Sequence, residues 1–236
     1  MLNVDNRVIM ISGANRGIGR AIANRLLAEG FRLSLGARNI QKLKRIFHKQ
    51  TERVKCFKFE ATDLCSMENW VDSTINIYGQ LDGLINNAGA INNFSIEVGE
   101  EFELDYLWKV NCKAPLFLTR FCLPHLKKSG IGRIINISSL SGKRVRNEKV
   151  AYNMSKHALM ALSHGTRQAT WKDGIRVTAI CPSFVDTEMV SGTSKISKEL
   201  MIKAEDLAEV VSLSLKLPNN AAIPEIVTNC RLEDQF

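Results

Sequence analysis

Short runs of β-branched and other apolar residues alternate along the chain with longer stretches in which apolar positions recur every three or four residues. The runs at 7–11, 31–36, 54–59, 81–87, 132–138, 175–181 and 225–229 predict seven strands, several of them apolar enough to be covered on both faces. Helical spacing predicts helices over 66–78, 102–128, 151–171 and 203–217, and another that opens after residue 12 with Ile22, Leu26 and Leu27 on one side. This alternation predicts an α/β fold, a doubly wound parallel sheet of about seven strands with helices on both faces and ligands at the strand C-terminal ends. No repeat, linker or low-complexity run interrupts it, so a single domain over 1–236 is expected.

The junction between the first strand and its helix reads Ser12-Gly13-Ala14-Asn15-Arg16-Gly17-Ile18-Gly19. Glycines there allow a tight turn and close approach of a phosphate to a helix N-terminus, where unpaired N–H groups favour anions. Strand, glycine turn and helix in this order point to a dinucleotide. The second strand ends in Ala37-Arg38, with no carboxylate to accept from a ribose 2′-hydroxyl. Arg38, with Arg16 in the glycine turn, offers guanidinium groups suited to a 2′-phosphate, so NADP(H) is expected over NAD(H).

Ser139, Tyr152 and Lys156 supply the candidate chemistry. Tyr152 and Lys156 lie four apart at the start of a predicted helix and share a face, while Ser139 follows the end of a predicted strand. A free phenol, with a pKa of about 10, is a poor base at neutral pH. An ammonium about 4 Å away is worth roughly 4 kcal/mol at an effective dielectric near 20, which predicts a phenol brought toward neutrality. Such a group could exchange a proton with a carbonyl or alcohol, with Ser139 holding the oxygen. A tyrosine four residues before a lysine is by itself a weak motif.

The remaining motifs supply the corroboration. The glycine turn at 13–19, Asp63-Leu64, Asn86-Asn87-Ala88-Gly89, Asn111, Ser139, Tyr152 and Lys156 stand in the order and approximate spacing of the short-chain dehydrogenase/reductase family, and the chain resembles that family over essentially its whole length. The resemblance implies a Rossmann fold and an NADPH-dependent reductase of a ketone or aldehyde, reversible as an alcohol dehydrogenase. It implies Tyr152 as general acid, Lys156 on the nicotinamide ribose and tuning the phenol, and Ser139 orienting the substrate oxygen. Asn111 would be the family's helix-disrupting asparagine, whose backbone holds a water in a relay to Lys156. Gly13, Asn15, Arg16, Gly17, Ile18 and Gly19 would cradle the cofactor. Asp63 and Leu64 would meet the adenine, Asn87, Ala88 and Gly89 the adenosine ribose, and Pro182, Val185 and Thr187 the nicotinamide amide. No metal is implied, and a homodimer or homotetramer is the expected assembly. Ser183 stands where the family often has glycine, and the Asp-Gly-Gly ending common in the family is missing here.

Charge changes the picture locally. Of a formal net charge of +8, the stretch 38–58 carries +7, from eight Lys/Arg against Glu52. No aromatic stacking platform or nucleic-acid module accompanies it, so a solvated helix face is expected rather than a nucleic-acid surface. Were the dehydrogenase chemistry weak, this block would be the support for a regulatory NADP(H)-binding protein. Lys143, Arg144, Arg146 and Lys149 precede Tyr152 and raise the prospect of an anionic substrate. A short substrate loop is expected at about 188–202, with Leu140, Val145, Phe184 and Met189, and Ile91 or Phe94, as candidate walls. Six cysteines without a CxxC pair are expected to be reduced core residues. No apolar run reaches the roughly 18 residues of a membrane span and no secretory leader is recognisable, so a cytoplasmic protein is expected.

Overall fold

The computed structural model describes residues 1–190 and 196–233. Seven parallel strands form one sheet in the order β3-β2-β1-β4-β5-β6-β7. They are β1 (Val8–Ser12), β2 (Arg32–Ala37), β3 (Val54–Lys58), β4 (Gly83–Asn86), β5 (Arg133–Ile137), β6 (Arg176–Pro182) and β7 (Glu225–Thr228). The helices are α1 (Gly17–Ala28), α2 (Ile40–Ile46), α3 (Leu64–Tyr78), α4 (Glu101–Trp108), α5 (Ala114–Ser129), α6 (Val150–Thr170) and α7 (Ala204–Lys216). The doubly wound parallel sheet expected from the alternation is therefore present, with chain order reversing between β1 and β4.

Period-two alternation sorts the core into two layers. On β1, Ile9 and Ile11 join Ile22, Leu26, Leu207 and Val211 of α1 and α7, whereas Val8 and Met10 join Trp70, Leu118 and Cys122 of α3 and α5. All six cysteine thiols are free, and Cys112, Cys122 and Cys181 are buried. At the N-terminal edge of the sheet, Arg7 and Arg133 are buried and spend guanidinium N–H groups on the carbonyls of Leu215 and Leu217. Burial, with Arg7 and Arg176 nearby, brings Arg133 down to about 10. These cations close the end of the sheet opposite the strand C-termini.

One element differs from the sequence expectation, and a second gives the solvated helix face expected of the basic stretch. The segment expected as one helix over 102–128 contains a π-helical turn, Lys109–Lys113, between α4 and α5. The extra residue is accommodated because the Asn111 side chain leaves the helix to bond elsewhere, as described below. Part of the basic stretch is the short helix α2, capped by the Asn39 side chain on Lys42 N at 2.8 Å. Among the described residues no helix is long and apolar enough to cross a membrane.

Candidate active site

The loops after β1 and β4 part at the switch point and are stitched together there. Ser12 Oγ accepts from Asn87 N and Ala88 N, each at 3.0 Å, and Asn87 Nδ2 donates to Ser12 O at 2.9 Å. This seam explains two of the glycines. A Cβ on Gly13, at φ +70°, would lie 3.1 Å from Ala88 Cα, and one on Gly19 would lie 2.4 Å from both Gly13 O and Asn87 Nδ2. Arg16, the N-cap residue of α1, makes no capping hydrogen bond, so the helix's first N–H groups are not covered by it.

A cleft of about 500 Å³ runs from this turn across the C-terminal ends of the strands. Gly13, Asn15, Arg16, Gly17, Ile18, Arg38, Asn87, Ala88, Gly89, Ser139, Tyr152, Lys156, Pro182, Val185 and Thr187 all line it. Gly19 is packed beneath the turn and does not. Asp63 and Leu64 are also outside the lining, because Asp63 caps α3 by accepting from Cys65 N at 2.9 Å and Leu64 faces outward. Phe59, Glu60 and Ala61 form the wall on that side instead. Asn39 and Lys42 were not singled out in the sequence, although the basic block opening directly after β2 was the available signal.

At the other end, Ser139 is extended and its Oγ accepts from Ser141 N at 3.1 Å. That bond fixes the hydroxyl beside Tyr152. Burial raises the Tyr152 phenol above its ordinary pKa, and a hydrogen bond with Ser139 pulls it partly back. Burial thus outweighs the Ser139 hydrogen bond, and the lowering of the phenol pKa expected from Lys156 does not appear among the influences on it. Lys156 Nζ lies 5.7 Å from the Tyr152 ring centroid and donates to Ile137 O at 3.0 Å. Its own pKa is lowered to about 8 by burial, with Cys112 and Cys181 acting in the opposite sense.

Asn111 stands behind the cleft rather than in its lining. Its Oδ1 accepts from Ala90 N at 2.8 Å, and its Nδ2 donates to Ala90 O at 2.9 Å and Ser155 Oγ at 3.0 Å. One amide therefore pins the loop after β4 to α6, three residues from Tyr152. A separate buried polar ladder runs from Thr119 through Asn86 and Asn136 to Ser163.

The candidate walls divide. Met189 lines the cleft, together with Tyr106, Val110 and Ser183. Ile91 and Phe94 pack against Leu107, Ala151 and Tyr152, whereas Leu140 is buried, Val145 is exposed, and Phe184 is outside the lining. Of the expected substrate loop, residues 188–190 and 198–200 form short 3₁₀ turns, and 191–195 lie outside the described residues. Lys143, Arg144, Arg146 and Lys149 do not line the cleft and are bonded to Glu225, Glu233, Glu233 and Asn93.

The sequence pattern of the short chain dehydrogenase family matches residues 7–197, and the chain belongs to this family of NAD(P)-dependent oxidoreductases. It is 43% identical over 227 residues to an agropine synthesis reductase of Rhizobium rhizogenes; the alignment covers 96% of this chain and 53% of the relative, so the chain spans about half that protein's length. An uncharacterized oxidoreductase of Staphylococcus aureus (strain USA300) is 31% identical over 230 residues, with 96% and 98% covered. Among solved structures, an alcohol dehydrogenase from the archaeon Thermococcus sibiricus, complexed with 5-hydroxy-NADP, superposes with a TM-score of 0.86 at 28% identity, covering 94% of this chain and 95% of that one. A metagenomic short-chain oxidoreductase complexed with NADP gives a TM-score of 0.84 at 28% identity, covering 98% and 100%.

Proposed function

We propose that the chain is an NADPH-dependent reductase of ketones or aldehydes, reversible as an alcohol dehydrogenase. The observation that carries this reading is the single cleft joining the glycine turn and Arg38 at one end to Ser139, Tyr152 and Lys156 at the other. The uncapped start of α1 and the space kept by Gly13 and Gly19 fit a pyrophosphate. Arg38 and Lys42 are exposed beside it and enter no ion pair among the described residues, which suits a 2′-phosphate. The NADP complexes of two structural neighbours and the reductase name of the Rhizobium relative support the same assignment.

When bound, the nicotinamide supplies a hydride to the carbonyl carbon. The phenol of Tyr152, kept protonated by burial, gives its proton to the carbonyl oxygen as the alcohol forms, and takes one back in the oxidation. Ser139 holds that oxygen, its own hydroxyl oxygen anchored by the N–H of Ser141. Lys156 would hold the nicotinamide ribose, and Pro182, Val185 and Thr187 would line the amide side. Asn111 keeps the Ala90 loop and α6 in register rather than touching the reacting atoms.

At the substrate end the charged side chains of the described lining are already partnered: Lys156 is bonded to Ile137 O and Glu188 is paired with Arg16. Of the loop cations that raised the prospect of an anionic substrate, Lys143, Arg144 and Arg146 are held by carboxylates and Lys149 by the Asn93 amide oxygen. Neutral carbonyl compounds are therefore the preferred substrates of this reading. Assembly as a homodimer or homotetramer is proposed through α4, α5 and α6, where Phe102, Trp108, Leu116 and Met154 are exposed.

Titration of NADPH and NADH by quenching of tryptophan fluorescence, followed by nicotinamide absorbance across neutral and acidic carbonyls, tests the proposal. Tight NADPH binding with turnover of neutral members is expected. Binding without turnover across a broad panel would instead mark a regulatory NADP(H)-binding protein.

A further inference from the structure

The C-terminal segment puts two carboxylates against the loop that joins Ser139 to Tyr152. Glu225 of β7 meets Lys143 Nζ at 2.5 Å and His164 Nε2 of α6 at 2.5 Å. Glu233 lies beyond β7 with a side chain only 1% exposed. Its Oε2 accepts from Arg144 Nη2 at 2.6 Å and from Arg146 Nη1 at 3.2 Å, and Arg231 Nε stands 3.6 Å from its Oε1. The Arg144 side chain is itself only 12% exposed. A carboxylate and a guanidinium leave water together only when each satisfies the other, so removing one leaves the second buried and uncompensated.

The same segment braces the opposite wall. Ser183, in the cleft lining, donates its backbone N–H to Thr228 O at 2.9 Å, and Cys230 Sγ is 3.3 Å from Ser183 Oγ. The loop between Ser139 and Tyr152 has its own short-range bonds, Asn147 Nδ2 to Ser141 Oγ at 3.3 Å and Asn153 Nδ2 to Asn147 O at 3.1 Å. These tie it to itself and to α6. Its attachments to β7 and the segment beyond include the ion pairs of Lys143, Arg144 and Arg146.

We infer that Glu233 is a positioning residue: through Arg144 and Arg146 it clamps the loop between Ser139 and Tyr152 to the segment beyond β7 that also braces Ser183, and so holds the Ser139 side of the site in place against Tyr152. Burial alone would push the Glu233 carboxyl up, yet the hydrogen bond and charge of Arg144, with the charges of Arg146 and Arg231, hold it below the usual range. The clamp is local to the catalytic loop and is separate from the glycine turn and Arg38. Its loss should therefore loosen Ser139 against Tyr152 without weakening the cofactor's hold on the adenosine end.

The effect on turnover rests on the proposed function; the effect on the loop does not. Glu233→Gln is expected to speed backbone hydrogen exchange across 140–149 by about tenfold or more, with the central strands unchanged. The same variant is expected to lower kcat by about tenfold while the NADPH Kd stays within about twofold, and Glu233→Asp, which keeps the charge, to recover part of the kcat. Arg146→Gln, at the more exposed side of the clamp, is expected to show the same pattern more weakly and serves if Glu233→Gln fails to fold. Exchange and kcat both within about twofold of wild type would overturn the inference, as would faster exchange spread evenly over the sheet. A wild type that reduces no carbonyl would sink the proposed function, and the clamp would then stand or fall on exchange alone.

Discussion

At the scale of single residues, the cleft holds a phenol and an ammonium whose environments act in opposite senses. Tyr152 is raised by burial, and Lys156 is lowered to about 8 for the same reason. Tyr152→Phe removes the proton donor while keeping the ring that packs with Leu107 and Ala151. It is expected to reduce kcat by about 10²–10⁴-fold, with NADPH affinity by fluorescence little changed. Lys156 makes a second prediction, about stability. An unfolded lysine titrates near 10.4, so between about 8 and that value the unfolded chain binds more protons and stability rises with pH. Below about pH 8 the penalty for burying the ammonium is present in full. Lys156→Met escapes that penalty, about 3 kcal/mol, and forfeits the bond to Ile137 O, worth about 1. At pH 7 the variant is expected to be the more stable by roughly 2 kcal/mol, its advantage in urea midpoint fading as pH rises toward 10. A constant difference over that range would show that Lys156 keeps its charge in the folded protein.

At the scale of elements, the π-turn matters most. Period and hydrophobicity made 102–128 legible as helical, but an inserted residue leaves no mark on a 3.6-residue pattern and becomes visible only through what Asn111 bonds to. The family resemblance marked Asn111 as a disruption, and the physical reason is a three-bond amide shared by Ala90 and Ser155. Asn111→Ala would leave both Ala90 groups and the Ser155 hydroxyl short of a partner. It is expected to cost about 2–4 kcal/mol in urea unfolding, more than a solvent-facing helical asparagine would. Helix α2 was harder to read for a different reason. Seven residues with Leu43 as the one fully buried position give too short a stripe to set a period, and the lysines around it suit a loop as well as a helix. The strands were the most legible elements because β1, β5 and β6 are buried at every position, which leaves short runs rich in Ile and Val in the sequence despite the polar residues buried among them.

At the scale of the whole molecule, charge is segregated along the strand direction. Arg7 and Arg133 are locked at the N-terminal edge of the sheet by backbone carbonyls, whereas Arg38 and Lys42 are exposed at its C-terminal edge and enter no ion pair among the described residues. Sequence alone placed Arg38 at the end of β2 but could not tell which members of the basic block face the cleft, since that depends on how α2 returns across the sheet. Nor could it show that Arg16 shares its guanidinium with Glu188 at 2.7 Å, a pair that leaves Arg38 the less encumbered of the two arginines. The proposed NADPH preference should therefore rest mainly on Arg38. Removing one charge-assisted phosphate contact typically costs about 1.5–3 kcal/mol, so Arg38→Gln is expected to weaken NADPH binding about 10- to 100-fold and to leave NADH within a few-fold of its original affinity. Salt supplies an independent check. A 2′-phosphate held by exposed cations is screened over a Debye length of about 8 Å at physiological ionic strength, so raising salt should weaken NADPH more steeply than NADH in the wild type. In Arg38→Gln the two slopes should converge. If NADPH keeps its full advantage in that variant, its 2′-phosphate is read elsewhere, with Arg16 released from Glu188 as the next residue to change.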